Sequence, residues 1–378
     1  MEVSLNSDID IRRVQSKKDL LSFIKLQWKI NQNDPNWVAP LLMDRLKVLN
    51  KKTNPFFKDN PADFFLAYRN GEVVGRIGAI INHQHNKFHE DKTGFFGFLE
   101  AQNDKEIFSS LLNTAEDWLR EKNCDLMMGP MNPSTNDEVG FLIDGYDTPP
   151  FFMMTHNPPY YNDFMQDLGF EKAKDLYAYF IHKDNLNMER VNKLSESMKK
   201  RFSVSIRSLN MKNFESELET VREIYNDAWS TNWGFVPMTP EEFDFIANDF
   251  KKIIDPELVI IAEYKGKPIG FSLALPNYNE IFIKIPNGKL FPFGIFTFLL
   301  NKNKIKSIRA ITLGVTKDYQ TSGIGGMLIL ETIRRGLSAG YISAEMSWVL
   351  EDNDLMNKGA SLVGGKIYKT NRVYQKAI

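Results

Sequence analysis

The residues Gln320-Thr321-Ser322-Gly323-Ile324-Gly325-Gly326, within "DYQTSGIGGML", have the types and spacing to hold an anion. Glycine lets a main chain come close to a ligand, because no Cβ stands between them. Where such a run opens a helix, unpaired N–H groups and the positive end of the helix dipole meet, and phosphate suits them best. The flanks supply that setting: "ITLGV" reads as a strand before the run and "MLILETIRRG" as a helix after it. A plain turn with glycine at a helix start is the competing reading. Two phosphate loops are excluded, since a Walker loop needs a Gly-Lys-Ser/Thr ending and a dinucleotide fingerprint needs Gly or Ala where Leu328 stands. His83, His85 and His89 in "NHQHNKFHE" share a face only if a strand runs unbroken through them, and no further Cys/His cluster supports them. They are read as a polar hairpin end, with no metal.

The elements that must position the glycine run occur twice along the chain. "IDIRRVQ" (9–15) alternates like a strand and "KKDLLSFIKLQWKI" has helical spacing; "VSIRSLN" (204–210) and "ESELETVREIYNDAW" repeat that order. Hairpins follow, turning at Asn70-Gly71 and at Lys265-Gly266, and aligning the turns sets Gly75 opposite Gly270. Each half then has a strand feeding a helix, a further strand, a short helix, a glycine and a tyrosine-bearing strand. This order predicts a duplicated α/β fold of mixed sheet, with copies at 1–183 and 203–378 and a linker helix over 184–202. At 378 residues the chain is long for one core, and 43% hydrophobic residues with 28 Phe and 13 Tyr can fill two. A net charge of −1 gives no overall field to attract nucleic acid. The single cysteine, Cys124, excludes an internal disulfide and sits in an apolar run as packing. Together with an opening "MEVSLNSDIDIRR" unlike a signal peptide, it leads to the expectation of a cytoplasmic protein. The most apolar segment, "LFPFGIFTFLL", falls well short of the roughly 20 residues a membrane-spanning helix needs.

The pattern Q-x-x-G-x-G at Gln320–Gly325 resembles the coenzyme A pyrophosphate loop of the GNAT superfamily, the Gcn5-related acyl-coenzyme A acyltransferases. "LGV" before it, "WVLEDN", the hairpin order and the terminal "GGKIYKTNRVY" are similar to that family as well. The resemblance covers 203–378; the first half resembles the same fold without the loop, and the whole looks like a tandem bacterial type. It implies two tandem GNAT-like N-acyltransferase domains. Acetyl-coenzyme A or another acyl-coenzyme A is then the co-substrate, and a primary amine, small molecule or lipid, attacks the thioester. By the same resemblance Leu313 and Val315 contact the pantetheine, with the Val315 N–H polarising the thioester carbonyl. Gln320, Thr321, Ser322, Gly323, Ile324, Gly325 and Gly326 hold the pyrophosphate, and Asn353 faces the cofactor arm. Tyr368 stands where the family often has a tyrosine near the sulfur and is the expected general acid; a packed aromatic is its plainer reading. Glu345 and Glu351, an even number apart on "AEMSWVLED" and so on one side of a strand, are the expected bases. An amine that arrives deprotonated needs no strong base.

At the matching strand-to-helix junction the first copy reads "EAQNDKEIF", with no glycine and with Glu100, Asp104 and Glu106 where a pyrophosphate would sit. Acidic residues in a first turn stabilise the helix themselves and repel phosphate. This copy is expected not to bind the coenzyme in the family's manner and to take another role, such as a wall of the acceptor site. Two stretches stand outside the repeat. The long loop 129–161 carries Asn132, Asn136, Asp137, Glu138 and His156, a substrate-binding surface or else a strut. The insertion 276–310 reads as extra core with a solvated basic end at Lys302, Lys304, Lys306 and Arg309. Its alternative is an apolar channel or a membrane-surface patch, with peripheral membrane contact through 281–300. That alternative is similar to GNAT-type enzymes that N-acylate long-chain sphingoid amines. Two other functions compete: a non-catalytic acyl-coenzyme A-binding module, and a Fem-like aminoacyl transferase, which would not need the glycine loop.

Overall fold

A computed structural model describes residues 9–186, 188, 189, 191–193, 196, 197 and 204–378. Its contacts group into two units, one of residues up to Asp175 with Phe282–Ile295 and Asn371–Ile378, the other of Leu176–Ile281 with Phe296–Thr370.

The first unit is built on β1 (Asp10–Arg13), β2 (Ala62–Arg69), β3 (Glu72–Ile81), β4 (Thr93–Ala101) and β5 (Leu126–Gly129). Neighbours are antiparallel except β4 and β5, which run parallel. Phe64 and Phe65 on β2 are successive and so face opposite sides of the sheet. The helix Lys17–Ile30, opened by a Ser16–Asp19 capping box, brings Phe23 onto the Phe64 ring at 5.3 Å. The helix Lys105–Glu121 covers the other side. It buries Ile107, Phe108, Leu111, Leu112, Ala115 and Leu119 at helical spacing against a cluster that includes Phe65 and Ile77. Three short strands follow in the long loop: β6 (Met131–Asn132), β7 (Glu138–Val139) and β8 (Phe141–Asp144).

After the helix Tyr160–Asp167 comes β9 (Glu171–His182), which is divided between the units at Asp175 and Leu176. The second unit holds its latter part with β10 (Val204–Ser208), β11 (Val259–Tyr264), β12 (Lys267–Pro276), β13 (Ser307–Val315) and β14 (Ser343–Leu350), ordered β9-β14-β13-β12-β11-β10. Ile260 packs with the helix Ile324–Ser338, and its neighbour Ile261 lies in the cluster of the helix Phe214–Trp229. The last strand, β15 (Lys366–Ala377), is divided at Thr370 and Asn371, and its Tyr374–Ala377 pair with Leu126–Gly129 in the first unit.

Both hairpins turn with positive φ at both central residues, 53° and 80° at Asn70-Gly71, 51° and 77° at Lys265-Gly266. Ala67 pairs with Gly75 and Ala262 with Gly270, and in each hairpin the register shifts at the very next residue. The duplication is therefore a duplication of detail, bulge included, and the chain is a tandem of two mixed α/β domains.

The unit boundaries differ from copies at 1–183 and 203–378. The closing strand of each copy contributes to the other's unit, and Phe282–Ile295 groups with the first because Pro286 O accepts from Trp28 Nε1 at 2.9 Å. Of the expected linker helix, residues 188, 189, 191–193, 196 and 197 are helical, and the rest of 187–203 lies outside the described residues. His83–His89 form a short helix capped by Asn82, not a hairpin end. Among the described residues no group of three His, Cys, Asp or Glu is placed to hold a metal. His85 is pushed down to about 4, chiefly by burial. Arg309 is no part of a solvated basic end; it is 2% exposed inside the second unit. No described helix is long and apolar enough to cross a membrane.

Gly314 tests how closely this second sheet is covered. A Cβ there would collide with the Trp229 ring. Gly314→Ala is expected to cost about 1–3 kcal/mol of stability through overpacking, read as a fall in the thermal midpoint.

Candidate active site

Two parallel strands part company in the second unit. β13 and β14 pair only from Ser307↔Ser343 to Ala310↔Met346, yet β13 runs on to Val315 and β14 to Leu350. Thr312–Val315 keep their partners on β12, with Ile311 skipped at a register shift, so one edge of this stretch is left facing the gap. Main-chain donors and acceptors at such an edge need partners from somewhere. No described side chain bonds the main chain of Ile311–Val315, and the Thr312 hydroxyl is buried without a hydrogen-bond partner. Leu313 and Val315, expected to contact a pantetheine, are both in this stretch.

The glycine run follows it directly. Lys317–Ser322 form a 3₁₀ turn, Gly323 takes φ of 90°, and the helix Ile324–Ser338 begins. Only glycine adopts that φ cheaply, so Gly323 is needed for the turn itself. Ser322 Oγ donates to Tyr319 O at 2.5 Å and accepts from Ile324 N at 3.4 Å, which ties the turn to the helix start. The amides of Gly325 and Gly326 fall in the helix's first turn, where no intrahelical carbonyl is available. A Cβ on Gly325 would meet only Leu313 and Val315 side chains, at 3.8 and 3.9 Å. The first turn of the helix thus lies beside the exposed edge of β13, and together they fit a phosphate with a pantetheine-like arm. Gln320 does not share in that in the way expected, because its Nε2 donates to Ala228 O at 3.0 Å and holds the turn to the helix Phe214–Trp229. Lys317 N reinforces the tie, donating to Asp227 Oδ2 at 2.7 Å. Thr321 is exposed on the turn. Asn353 caps the helix Asp354–Leu362 by accepting from Met356 N at 3.1 Å.

At the point where the strands part lies a buried polar group. Glu345 is fully buried on β14, and its carboxylate accepts from Ser347 Oγ at 2.6 Å and from the Tyr368 hydroxyl. Arg309 Nε donates to Ser347 Oγ at 2.9 Å and stands 3.5 Å from Glu345 Oε1, with its guanidinium over the Trp348 ring at 5.0 Å. Burial raises Glu345 above the usual carboxylate range, and Arg309, Ser347, Tyr368 and Lys369 offset only part of that. Burial first, then the Glu345 charge, pushes the Tyr368 phenol well above its ordinary value. The acid role expected of Tyr368 asks its proton to face a thiolate; here that proton is given to Glu345. Glu351 is not on the same side of the strand as Glu345. A register shift between Met346 and Val349 inverts the alternation, and Glu351 lies beyond Leu350 in the turn. Arg309, Ser347 and Lys369 were missed in the sequence. One signal was available: an arginine in the middle of the otherwise apolar strand "SIRAITLGV".

The first unit has the same parting and closes it from within. β4 and β5 pair only over Thr93–Phe95 and Leu126–Met128, while β4 continues to Ala101. Phe98 N donates to Asn132 Oδ1 at 2.6 Å, and a Cβ on Gly97 would strike the Met131 carbonyl. Tyr161 OH accepts from Ala101 N at 2.9 Å and donates to Glu100 Oε2 at 2.9 Å, and Tyr160 OH donates to Ala101 O at 2.7 Å. Asp104 caps the next helix and pairs with Arg69 at 2.6 Å, where a pyrophosphate loop would be. The other expected substrate-binding residues are also engaged within this unit: Asn136 N bonds Ser134 Oγ at 3.1 Å, Glu138 takes a two-pronged contact from Arg45, and His156 Nε2 lies 2.7 Å from Asp34.

A sequence profile of the acetyltransferase (GNAT) family matches residues 26–136 and 218–357. A bacterial ceramide synthase from Caulobacter vibrioides is 39% identical over 99% of this chain and 99% of its own length. The protein YghO of Escherichia coli is 36% identical over 97% of this chain and 95% of its own. Among solved structures, a tandem GNAT protein from the clavulanic acid biosynthesis pathway superposes with a TM-score of 0.58 at 11% identity, over 98% of each chain.

Arg309 and Glu345 make a direct energetic prediction. Arg309→Met should cost about 3–5 kcal/mol in denaturant unfolding, because it strands a buried carboxylate. Adding Glu345→Gln should recover most of that loss, since the carboxylate stranded by the first change is then gone.

Proposed function

The chain belongs to the GNAT acetyltransferase family, and from that membership we propose that its second unit transfers an acyl group from coenzyme A to a lipid amine. It is an N-acyltransferase with acyl-coenzyme A as co-substrate and an amine as acceptor. The observation that carries the proposal is the open edge of β13 beside a glycine-opened helix, with Glu345 and Tyr368 where the strands part. The thioester brings an activated acyl group; the protein's part is to hold it, polarise it and move a proton. The β13 edge aligns the pantetheine, the Val315 N–H is aimed at the carbonyl oxygen, and the Gly325 and Gly326 amides take the pyrophosphate.

Glu345 is too deeply buried to reach an amine itself, so Tyr368 stands between. As the amine attacks, its proton passes to the Tyr368 oxygen while the phenol's own proton passes to Glu345. The C–N bond forms, the C–S bond breaks, and the thiolate recovers a proton by the same path in reverse. One proton enters the pair and one leaves it, so the relay resets with each turnover. Support for the acceptor class comes from a relative that is similar over nearly this whole chain and is named for ceramide synthesis. A long-chain sphingoid amine is therefore the proposed acceptor, with a fatty acyl group from coenzyme A as the donor.

Gly325→Glu puts a carboxylate against the pyrophosphate position, where only van der Waals neighbours now stand. It should abolish coenzyme A binding by calorimetry and leave the melting curve unchanged; retained affinity would show the pyrophosphate lies elsewhere. Thiol release measured over an amine panel should require a long-chain amine, and binding without turnover on every amine would indicate a non-catalytic module. Since Glu345 accepts a proton only when ionised, and burial raises its pKa, the rate should climb with pH through a limb above the ordinary carboxylate range. Tyr368→Phe should lower kcat by roughly 10²–10⁴-fold and remove that limb, and an unchanged rate would take the relay out of the mechanism.

A further inference from the structure

The insertion after β12 turns a helix the wrong way round for water. Leu290–Gly294 form a wide turn that runs into the helix Ile295–Asn301. Phe298 faces inward, its ring stacked on Tyr278 at 5.7 Å, and Gly294 is buried. The outward positions, Phe293, Phe296, Leu299 and Leu300, recur at helical spacing and are 79%, 62%, 52% and 71% exposed, and Phe291 before them is 63% exposed. With Ile283 these make up half of the large exposed apolar side chains of the described residues. A surface helix ordinarily turns its polar side to solvent. Here the polar residues are at the ends: Lys284 and Lys289 before the helix, Lys302, Lys304 and Lys306 after it, all exposed. From Ile281 to Thr316 the sequence has no acidic residue.

We infer that this segment seats the protein on an anionic lipid surface, with Phe293, Phe296 and Leu300 entering the acyl boundary and the flanking lysines meeting the headgroups. A contiguous apolar face on a soluble domain marks something that covers it, and an apolar stripe with lysines at its margins matches a bilayer interface in both respects. The long lysine stems reach headgroups while lying along apolar surface. A second copy of the chain fits less well, because a twofold contact sets this lysine-flanked patch against itself and brings like charges together. An acyl chain alone does not fit either, since a convex helix face cannot enclose it. The inference rests on exposure and charge, not on the acyl-transfer reading.

Flotation of the full chain with vesicles tests it, in the absence of coenzyme. The protein should float with phosphatidylcholine vesicles containing about a third phosphatidylglycerol and stay below with phosphatidylcholine alone. High salt should weaken the association, because screening weakens headgroup attraction. Phe293→Ser, Phe296→Ser and Leu300→Ser combined should reduce flotation at least tenfold without lowering the thermal midpoint, and Lys302→Glu with Lys304→Glu should reduce it in the anionic vesicles. Wild-type protein that floats with neither vesicle, or equally with both, overturns the inference, as does a triple Ser variant that floats like wild type. A wild-type dimer that the triple variant dissociates, with no flotation, overturns it in favour of self-association. Failure here leaves the coenzyme-binding result at Gly325 untouched, and failure there leaves this one untouched.

Discussion

Two parallel strands that stop pairing before they end leave main-chain groups that must be satisfied, and the two units meet that need in different ways. In a low-dielectric interior an unmet donor or acceptor costs about 1–3 kcal/mol, so an open strand edge is maintained only where something comes to fill it. The first unit fills its edge from its own sequence: Asn132 supplies one acceptor and Tyr160 and Tyr161 supply partners for Ala101. The second leaves its edge on β13 bare of side-chain partners and sets a glycine-opened helix next to it. In the proposed reading the duplicated fold divides its labour: one copy meets its open edge from within, and the other leaves it for a ligand.

The buried group at the parting of β13 and β14 bears on stability and, in the proposed relay, on chemistry. Arg309, Ser347 and Tyr368 hold Glu345 from three directions, so its carboxylate is fixed in place. Burial nevertheless lifts its affinity for a proton, since desolvation outweighs the nearby cations. A fixed carboxylate with raised proton affinity, joined to a phenol, is suited to taking a proton and returning it. In the proposed relay neither residue would suffice alone: Glu345 has no access, and Tyr368 without Glu345 would have nowhere to send its proton.

Much of the fold was legible because it rests on local rules. Asn70-Gly71 and Lys265-Gly266 announce their turns by conformational preference, and the alternation of β1 and the helical spacing of Lys17–Ile30 follow from periodicity. The glycine loop was legible for the same reason, as it is contiguous. What escaped depends on neighbours distant in sequence. Arg309 sits among lysines in the sequence and is separated from them only by the alternation of a strand, so its burial is invisible until Glu345 is set beside it. Glu351 was misplaced because one extra residue after Met346 inverts the parity on which its assignment depended. Gln320 and Asn132 both carry side chains apt for a ligand, and only tertiary structure shows that Ala228 and Phe98 already hold them.

The exchange of closing strands has a consequence for how the protein is made. Synthesis runs from the amino end, and the strand that completes the first unit's sheet, Tyr374–Ala377 against Leu126–Gly129, is made later than the other strands of both units. Until then β5 has a bare edge, the kind of edge that recruits strands from other molecules. Neither half released alone would carry all of its own sheet, so the two copies, although each has the outline of a domain, must mature together.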